Sequence, residues 1–271
     1  MTIFRLTSRL YRLLRDSAKS AERKYTLIRQ SLTKAKTSSV APLIANILIV
    51  RNPIYCDLAK VCVVSFLHFH PKSEIRIHVD GSTIEKSRVI FKREILKGRV
   101  SLIVSDNETS TWQELKMLTV LGMHESNEFF MDADLRWNGV LPGLKGVTFF
   151  VEEFTLQNKS PYAQMLKSPL FAEFDRASMK NTSFISWGNY KVTQTEKDWV
   201  LAFEKLIIET VNTDLVPRDD KSFVKRISEQ LALSLFVHKI SEEIFFLKVN
   251  DGHRDGSFLE SSYFGATGSQ F

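Results

Sequence analysis

Between residues 45 and 132 the chain alternates short apolar runs with segments of helical spacing. Ala45-Asn-Ile-Leu-Ile-Val-Arg-Asn52 predicts a buried strand. Asn52-Pro53 ends it, and Pro53 suits the first turn of a helix over residues 54–68. Residues 74–80 alternate apolar and polar and predict a second strand. It closes on Asp80-Gly-Ser-Thr83, a turn and helix-cap signal. A helix over 84–96, a strand over 99–104 and a helix over 111–121, with Lys116 near its middle, follow. Strand and helix alternating about every 25–30 residues predict a right-handed, mostly parallel α/β sheet flanked by helices.

The rhythm changes after residue 137. Residues 146–152 and 183–187 predict strands without a preceding crossover helix, separated by a polar stretch around Pro161 and Pro169. Helices are predicted over 196–210 and 223–239 and a last strand over 243–249. From Asp251 onward the tail is rich in Gly and Ser and reads as a loop.

The candidate chemistry lies in Glu128-Phe-Phe-Met-Asp-Ala-Asp-Leu-Arg-Trp137. An apolar strand runs into Asp132 and Asp134, which point the same way on an extended chain. Two like charges on one face repel unless a cation lies between them, and carboxylate oxygens suit Mg²⁺ or Mn²⁺. In parallel sheets ligands bind beyond the C-terminal strand ends. Those ends here carry Asn52, Asp80, Asp106 and the Asp132/Asp134 pair.

Charge alters this picture at one end only. Residues 1–36 hold ten basic residues against Asp16 and Glu22, a net +8, while the other 27 basic and 29 acidic residues sum to −2. Apolar residues recur at helical spacing through residues 3–36, so residues 1–40 read as a basic amphipathic helical arm preceding a domain over 41–271. Such an arm suits contact with an anionic membrane surface, or packing on the body or a partner chain. The body shows no aromatic-basic interleaving of the kind that binds nucleic acid. No apolar run has the length of a membrane span, and arginines interrupt the N-terminus where a secretion signal would be apolar. The two cysteines, Cys56 and Cys62, fall in one apolar helical stretch, so a disulfide framework is not expected. The expected location is cytoplasmic, peripheral to a membrane if the arm binds one.

Taken in order, Arg51-Asn52 after the first strand, Val79-Asp-Gly-Ser-Thr83 after the second and Phe129-Phe-Met-Asp-Ala-Asp134 after the fourth resemble the GT-A fold of nucleotide-sugar glycosyltransferases. The resemblance covers roughly residues 45–250. It implies a nucleotide-binding half over 41–137 and an acceptor half with a C-terminal loop over 138–271. It further implies that Asp132 and Asp134 hold Mn²⁺ or Mg²⁺ against a nucleotide diphosphate, with His253 as a late third ligand. Arg51, Asn52 and Asp80 would lie near the nucleoside, and Lys116 near a phosphate. The donor implied is a nucleotide-diphosphate sugar, UDP-sugars being commonest in that family, and the acceptor a glycan or other hydroxyl. For a catalytic base the resemblance points to Glu229, with Asp175, Glu152 and Glu153 as rivals. Trp187 suits either an acceptor sugar or the core. Two other readings stay open. A nucleotidyltransferase shares the layout but calls for a Gly-rich phosphate loop where Arg51-Asn-Pro53 stands, and an inactive GT-A-like binding module would lack metal-dependent nucleotide binding.

Overall fold

A computed structural model of the chain describes residues 41–247, apart from 106–110, 138, 142–143, 145, 151, 159, 175, 214–215, 217 and 241–242, together with 259–261. The basic arm over 1–40 lies outside the described residues.

The first half follows the strand-and-crossover pattern. Strands β1 (Ile44–Ile49), β2 (Glu74–Val79), β3 (Val100–Val104) and β4 (Glu128–Met131) are connected by helices α1 (Ile54–Phe69), α2 (Ile84–Ile90), α3 (Lys92–Leu96) and α4 (Trp112–Leu121). β1 pairs in parallel with β2 on one side and β4 on the other, and β3 pairs in parallel with β2. The expected single helix over 84–96 is two. Phe91 leaves helical geometry at φ −100°, ψ 9° and enters the core, 1% exposed, so burying its ring breaks the helix.

The second half is mixed. It comprises β5 (Leu135–Trp137), β6 (Val147–Phe149), β7 (Glu152–Thr155), α5 (Ser160–Met165), β8 (Ser178–Lys180), β9 (Phe184–Ser186), α6 (Gln194–Asn212), α7 (Arg218–Arg226), α8 (Ser228–Ile240), β10 (Ile244–Phe246) and β11 (Leu259–Ser261). The main sheet has seven strands in the order β10-β6-β9-β4-β1-β2-β3, with β9 antiparallel to both neighbours. The expected class, a mostly parallel sheet flanked by helices, is what the chain forms. β7 pairs with β8, and β11 with β5, as separate two-stranded sheets. The predicted strand over 146–152 therefore ends early and a second begins at Glu152. The predicted helix over 223–239 is also two, α7 and α8, broken at Ile227, where the Ser228 hydroxyl donates to Glu204 Oε1 at 2.5 Å.

Both faces of the sheet are covered, which is why β4 is buried throughout and apolar from Phe129 to Met131. Phe129 and Met131 face the α1 side with Cys62, Phe66 and Trp137, while Phe130 faces Ile185 and α8 on the other. Phe66 sits 5.6 Å from the Phe129 ring and 5.1 Å from that of Trp137. Trp187 is a core residue: it is 2% exposed, and its indole N–H donates to the Val120 carbonyl at 2.8 Å. At the end of β9 the backbone crosses that of Gly146. Gly188, at φ +57°, has no room for a Cβ, which would lie 2.6 Å from Gly146 Cα.

A polar ladder crosses β2, β1 and β4. His78 Nε2 meets Asn46 Oδ1 at 3.0 Å, and Asn46 Nδ2 donates to Glu128 Oε1 at 2.9 Å. Arg76 donates to the same oxygen at 3.0 Å, and the backbone N–H groups of His124 and Glu125 donate to Oε2. Burial pushes His78 from 6.5 down to about 4, and it does the same to His70, whose Nε2 accepts the Leu141 N–H at 3.0 Å. With folded values below the unfolded one, the stability that the two neutral rings lend is present above pH 6.5 and is lost as the pH falls towards 4. Histidine NMR titration is expected to show both rings neutral at about pH 5. Half-protonation near the unperturbed value would contradict these environments.

Candidate functional site

The strand order places the site. From β1 the chain builds β2 and β3 on one side and then returns to place β4 on the other. The crevice between the C-terminal ends of β1 and β4 is thus a topological switch point, where open α/β sheets bind ligands. Its rims are Arg51-Asn52 and Asp132-Ala-Asp134.

On the β1 rim, Arg51 adopts φ +63°, a left-handed conformation unusual for a residue with a Cβ. Its backbone N–H donates to Asp80 Oδ2 at 2.6 Å, tying the end of β1 to that of β2. Asp80 Oδ1 accepts from the backbone N–H groups of Ser82 and Thr83, each at 3.1 Å, and from the Ser82 hydroxyl at 2.7 Å. Those hydrogen bonds outweigh the opposing effect of burial and hold the Asp80 carboxyl below its ordinary value. Asn52 Oδ1 accepts the Ile54 N–H at 3.1 Å in the turn that leads into α1. Asp80 and Asn52 thus shape the rim in this structure, and Arg51 and Asn52 are exposed there.

The β4 rim holds the charges. The Asp132 N–H donates to the Ser183 carbonyl at 2.8 Å, and the Leu135 N–H returns to the Asp132 carbonyl at 3.2 Å, so the acidic turn is pinned at both ends. Asp132 and Asp134 are both half-buried. Lys116 reaches this turn from α4, whose N-terminus is capped by the Thr111 hydroxyl. Its Nζ donates to Asp132 Oδ1 at 3.0 Å and lies 3.9 Å from Glu229 Oε1. Glu229 occupies the first turn of α8, because the chain breaks at Ile227. Its side chain is 4% exposed and its Oε2 has no hydrogen-bond partner.

These groups perturb one another. Burial alone would lower Lys116, but the charges of Asp132 and Glu229 outweigh it and hold the ammonium above its usual value. Burial raises Glu229, Lys116 offsets only part of this, and the carboxyl comes to about 7. The Cys62 thiol is pushed well up by burial and then by the charges of Asp134 and Asp132. The thiol lies 3.7 Å from the Asp132 carbonyl.

Among the described residues no cluster of three or more His, Cys, Asp and Glu is placed to hold a metal. Asp132 and Asp134 nevertheless fit a hard divalent cation whose remaining ligands are phosphate or water oxygens. They present oxygen donors on one turn, and Lys116 engages only Oδ1 of Asp132. His253 and Asp175 lie outside the described residues. The backbone at Glu152 and Glu153 belongs to β7, away from the main sheet.

The structure thus brings together Lys116, Asp132 and Glu229, with Asp134 on the same turn, and gathers Arg51, Asn52 and Asp80 across the crevice. Sequence reading missed that Lys116 pairs directly with Asp132. The signal was there: Lys116 stands between Leu115 and Met117, on the buried face of an amphipathic helix.

The sequence matches no protein-family model and none of the curated proteins. Three solved structures show how the chain course compares. The galactosyltransferase LgtC in complex with donor and acceptor sugar analogues is similar over 76% of this chain and 73% of its own, at 12% identity and a TM-score of 0.47. The bifunctional glycosyltransferase WbbM is similar over 79% of this chain but 40% of its own, at 10% identity and a TM-score of 0.47. The glycosyltransferase GlyE of Streptococcus pneumoniae is similar over 77% of this chain and 46% of its own, at 11% identity and a TM-score of 0.46.

Proposed function

We propose that this protein is a metal-dependent glycosyltransferase that moves a sugar from a nucleotide-diphosphate donor, a UDP-sugar first among them, to a glycan or other hydroxyl acceptor. The observation that supports this most is the acidic turn of Asp132 and Asp134 at the switch point of a mostly parallel sheet. In this reading the two carboxylates hold Mn²⁺ or Mg²⁺. A bound cation would supply charge stabilisation for the departing diphosphate. The rim of Arg51, Asn52 and Asp80 receives the nucleoside.

Lys116 and Glu229 set the geometry of that turn. Lys116 fixes one oxygen of Asp132. Glu229, buried behind Lys116, acts on the lysine and not on an acceptor hydroxyl, although its value of about 7 is one a general base needs. Because that value lies above the ordinary 4.5, the stability associated with Glu229 is full below pH 4.5 and is lost as the pH rises through about 7. Glu229→Gln is therefore expected to raise the melting temperature at alkaline pH while lowering turnover, the pattern of a functional group held at a cost in stability. A lower melting temperature at alkaline pH would show that the carboxylate is needed for folding.

The direct test is release of nucleotide diphosphate from a panel of nucleotide sugars, with Mn²⁺ and with a chelator. Metal-dependent release from one donor class supports the reading. The second reading is an inactive binding module, favoured by Lys116 already engaging Asp132. It gives no release from any donor.

A further inference from the structure

The crossover between β2 and β3 carries a second charged surface, remote from the acidic turn. Helices α2 and α3 lie over the β3 edge of the sheet, and Leu96 stands four residues before β3 begins. Val89 and Leu96 are among the most exposed large apolar residues described, at 75% and 77%. With Ile90, Lys92, Arg93 and Lys97 they line an open groove of about 470 Å³. Exposed branched side chains seated among cations are the pattern of a surface that meets another phase.

The charge balance singles the region out. Residues 84–99 hold six basic residues against Glu85 and Glu94, a net +4 in a body that sums to −2. Three of the six are engaged: Lys86 pairs with Asp57 at 2.6 Å, Arg88 with Glu85 at 2.5 Å and Arg99 with Glu94 at 3.9 Å. Among the described residues no ion pair holds Lys92, Arg93 or Lys97, the three cations that line the groove with Val89 and Leu96. A shallow, open surface of this kind offers no depth to grip a peptide, but it matches anionic headgroups beside an apolar boundary. The N-terminal 36 residues carry the same combination of basic and apolar positions, so two separate parts of one chain suit the same kind of surface.

We propose that the α2–α3 face is a docking surface for an anionic lipid bilayer, with Lys92, Arg93 and Lys97 at the headgroups and Val89 and Leu96 entering the interface. Peripheral docking needs no spanning element, and among the described residues no helix is long and apolar enough to cross a membrane. The inference is independent of the proposed activity, since none of these residues belongs to the acidic turn.

The test is co-sedimentation of the full chain with phosphatidylcholine vesicles, with and without phosphatidylserine. The unaltered chain is expected to bind only the anionic vesicles and to be released by salt. Each cation near such a surface contributes about 1 kcal/mol, so the triple variant Lys92→Gln, Arg93→Gln, Lys97→Gln is expected to partition about a hundredfold less strongly. Val89→Ser with Leu96→Ser is expected to weaken binding even at low salt. These side chains are exposed, so both variants are expected to keep the melting temperature of the unaltered chain. Absence of binding to phosphatidylserine vesicles would overturn the proposal. So would undiminished binding of the triple variant, which would leave the N-terminal segment as the sole contact. Protection of residues 84–97 from surface labelling without lipid, lost when residues 1–36 are removed, would also overturn it, because the arm would then be the occupant.

Discussion

Lys116→Met is expected to lower folding stability by about 3 kcal/mol at pH 8, the largest effect of any single change at the site. Methionine fills most of the same volume, so the loss is electrostatic. It leaves Asp132 and Glu229 without the ammonium 3.0 and 3.9 Å away. Breaking a buried pair by removing one partner costs about 3–5 kcal/mol, because a charge stays buried and uncompensated. The lower figure applies because the Asp132 side chain is 30% exposed and part of its charge is met by water. The loss is expected to shrink as the pH falls, since Glu229 then protonates and no longer needs the lysine. Adding Glu229→Gln to Lys116→Met is expected to restore part of the stability, a coupling that a double-mutant cycle measures. The measurement is the urea midpoint at unchanged slope. A loss below about 1 kcal/mol would mean that Lys116 is solvated and the ion pair unimportant.

Asp134→Asn is expected to abolish metal-dependent nucleotide binding and to reduce turnover about a thousandfold, while the fold survives. The carboxylate is half-buried at a turn whose backbone is pinned by Ser183 and Leu135, so the isosteric amide keeps the shape. The amide is a far poorer ligand for a hard cation, and the stabilisation a bound metal gives to developing phosphate charge is worth several kcal/mol, each 1.36 being tenfold in rate. Calorimetric titration of nucleotide with Mn²⁺ checks the binding and urea unfolding checks the fold. Unchanged affinity would place the metal, or the nucleotide, elsewhere.

The first half of the fold was legible because each strand is a local apolar run and each crossover helix sits between two of them. β1, β2 and β4 differ from their predicted ranges only at their ends. Two helices were read as continuous because hydrophobic spacing persists through the breaks. Phe91 and Ile227 both keep helical periodicity in sequence, while the backbone leaves the helix to bury Phe91 itself or to start α8 anew. The three-residue pairing of β5 with β11 was not legible, since partners more than 120 positions apart leave no local pattern in so short a strand.

The site divides in the same way. Asp132 and Asp134 stand out by residue type and by the strand before them, and Lys116 by its place in a helix. The contact between Lys116 and Asp132 depends on how α4 lies against β4, and that of Lys116 with Glu229 on where α8 begins. Both are tertiary facts. They bear on the chemistry, since the lysine expected on a phosphate meets Asp132 at 3.0 Å, and the glutamate expected as a base lies 3.9 Å from that lysine.

The most direct test of the central claim, that the acidic turn binds a nucleotide diphosphate through a divalent cation, is thermal denaturation of the unaltered chain with a panel of nucleoside diphosphates, with and without Mn²⁺. A ligand present at about 100 times its dissociation constant stabilises the folded state by about 2.7 kcal/mol. The expected result is a rise in melting temperature for one nucleotide, UDP first among them, that requires the metal and disappears in Asp134→Asn. A chain that melts at the same temperature with every nucleotide, with or without Mn²⁺, would contradict the claim and leave Asp132 and Lys116 as an ion pair that serves the fold alone.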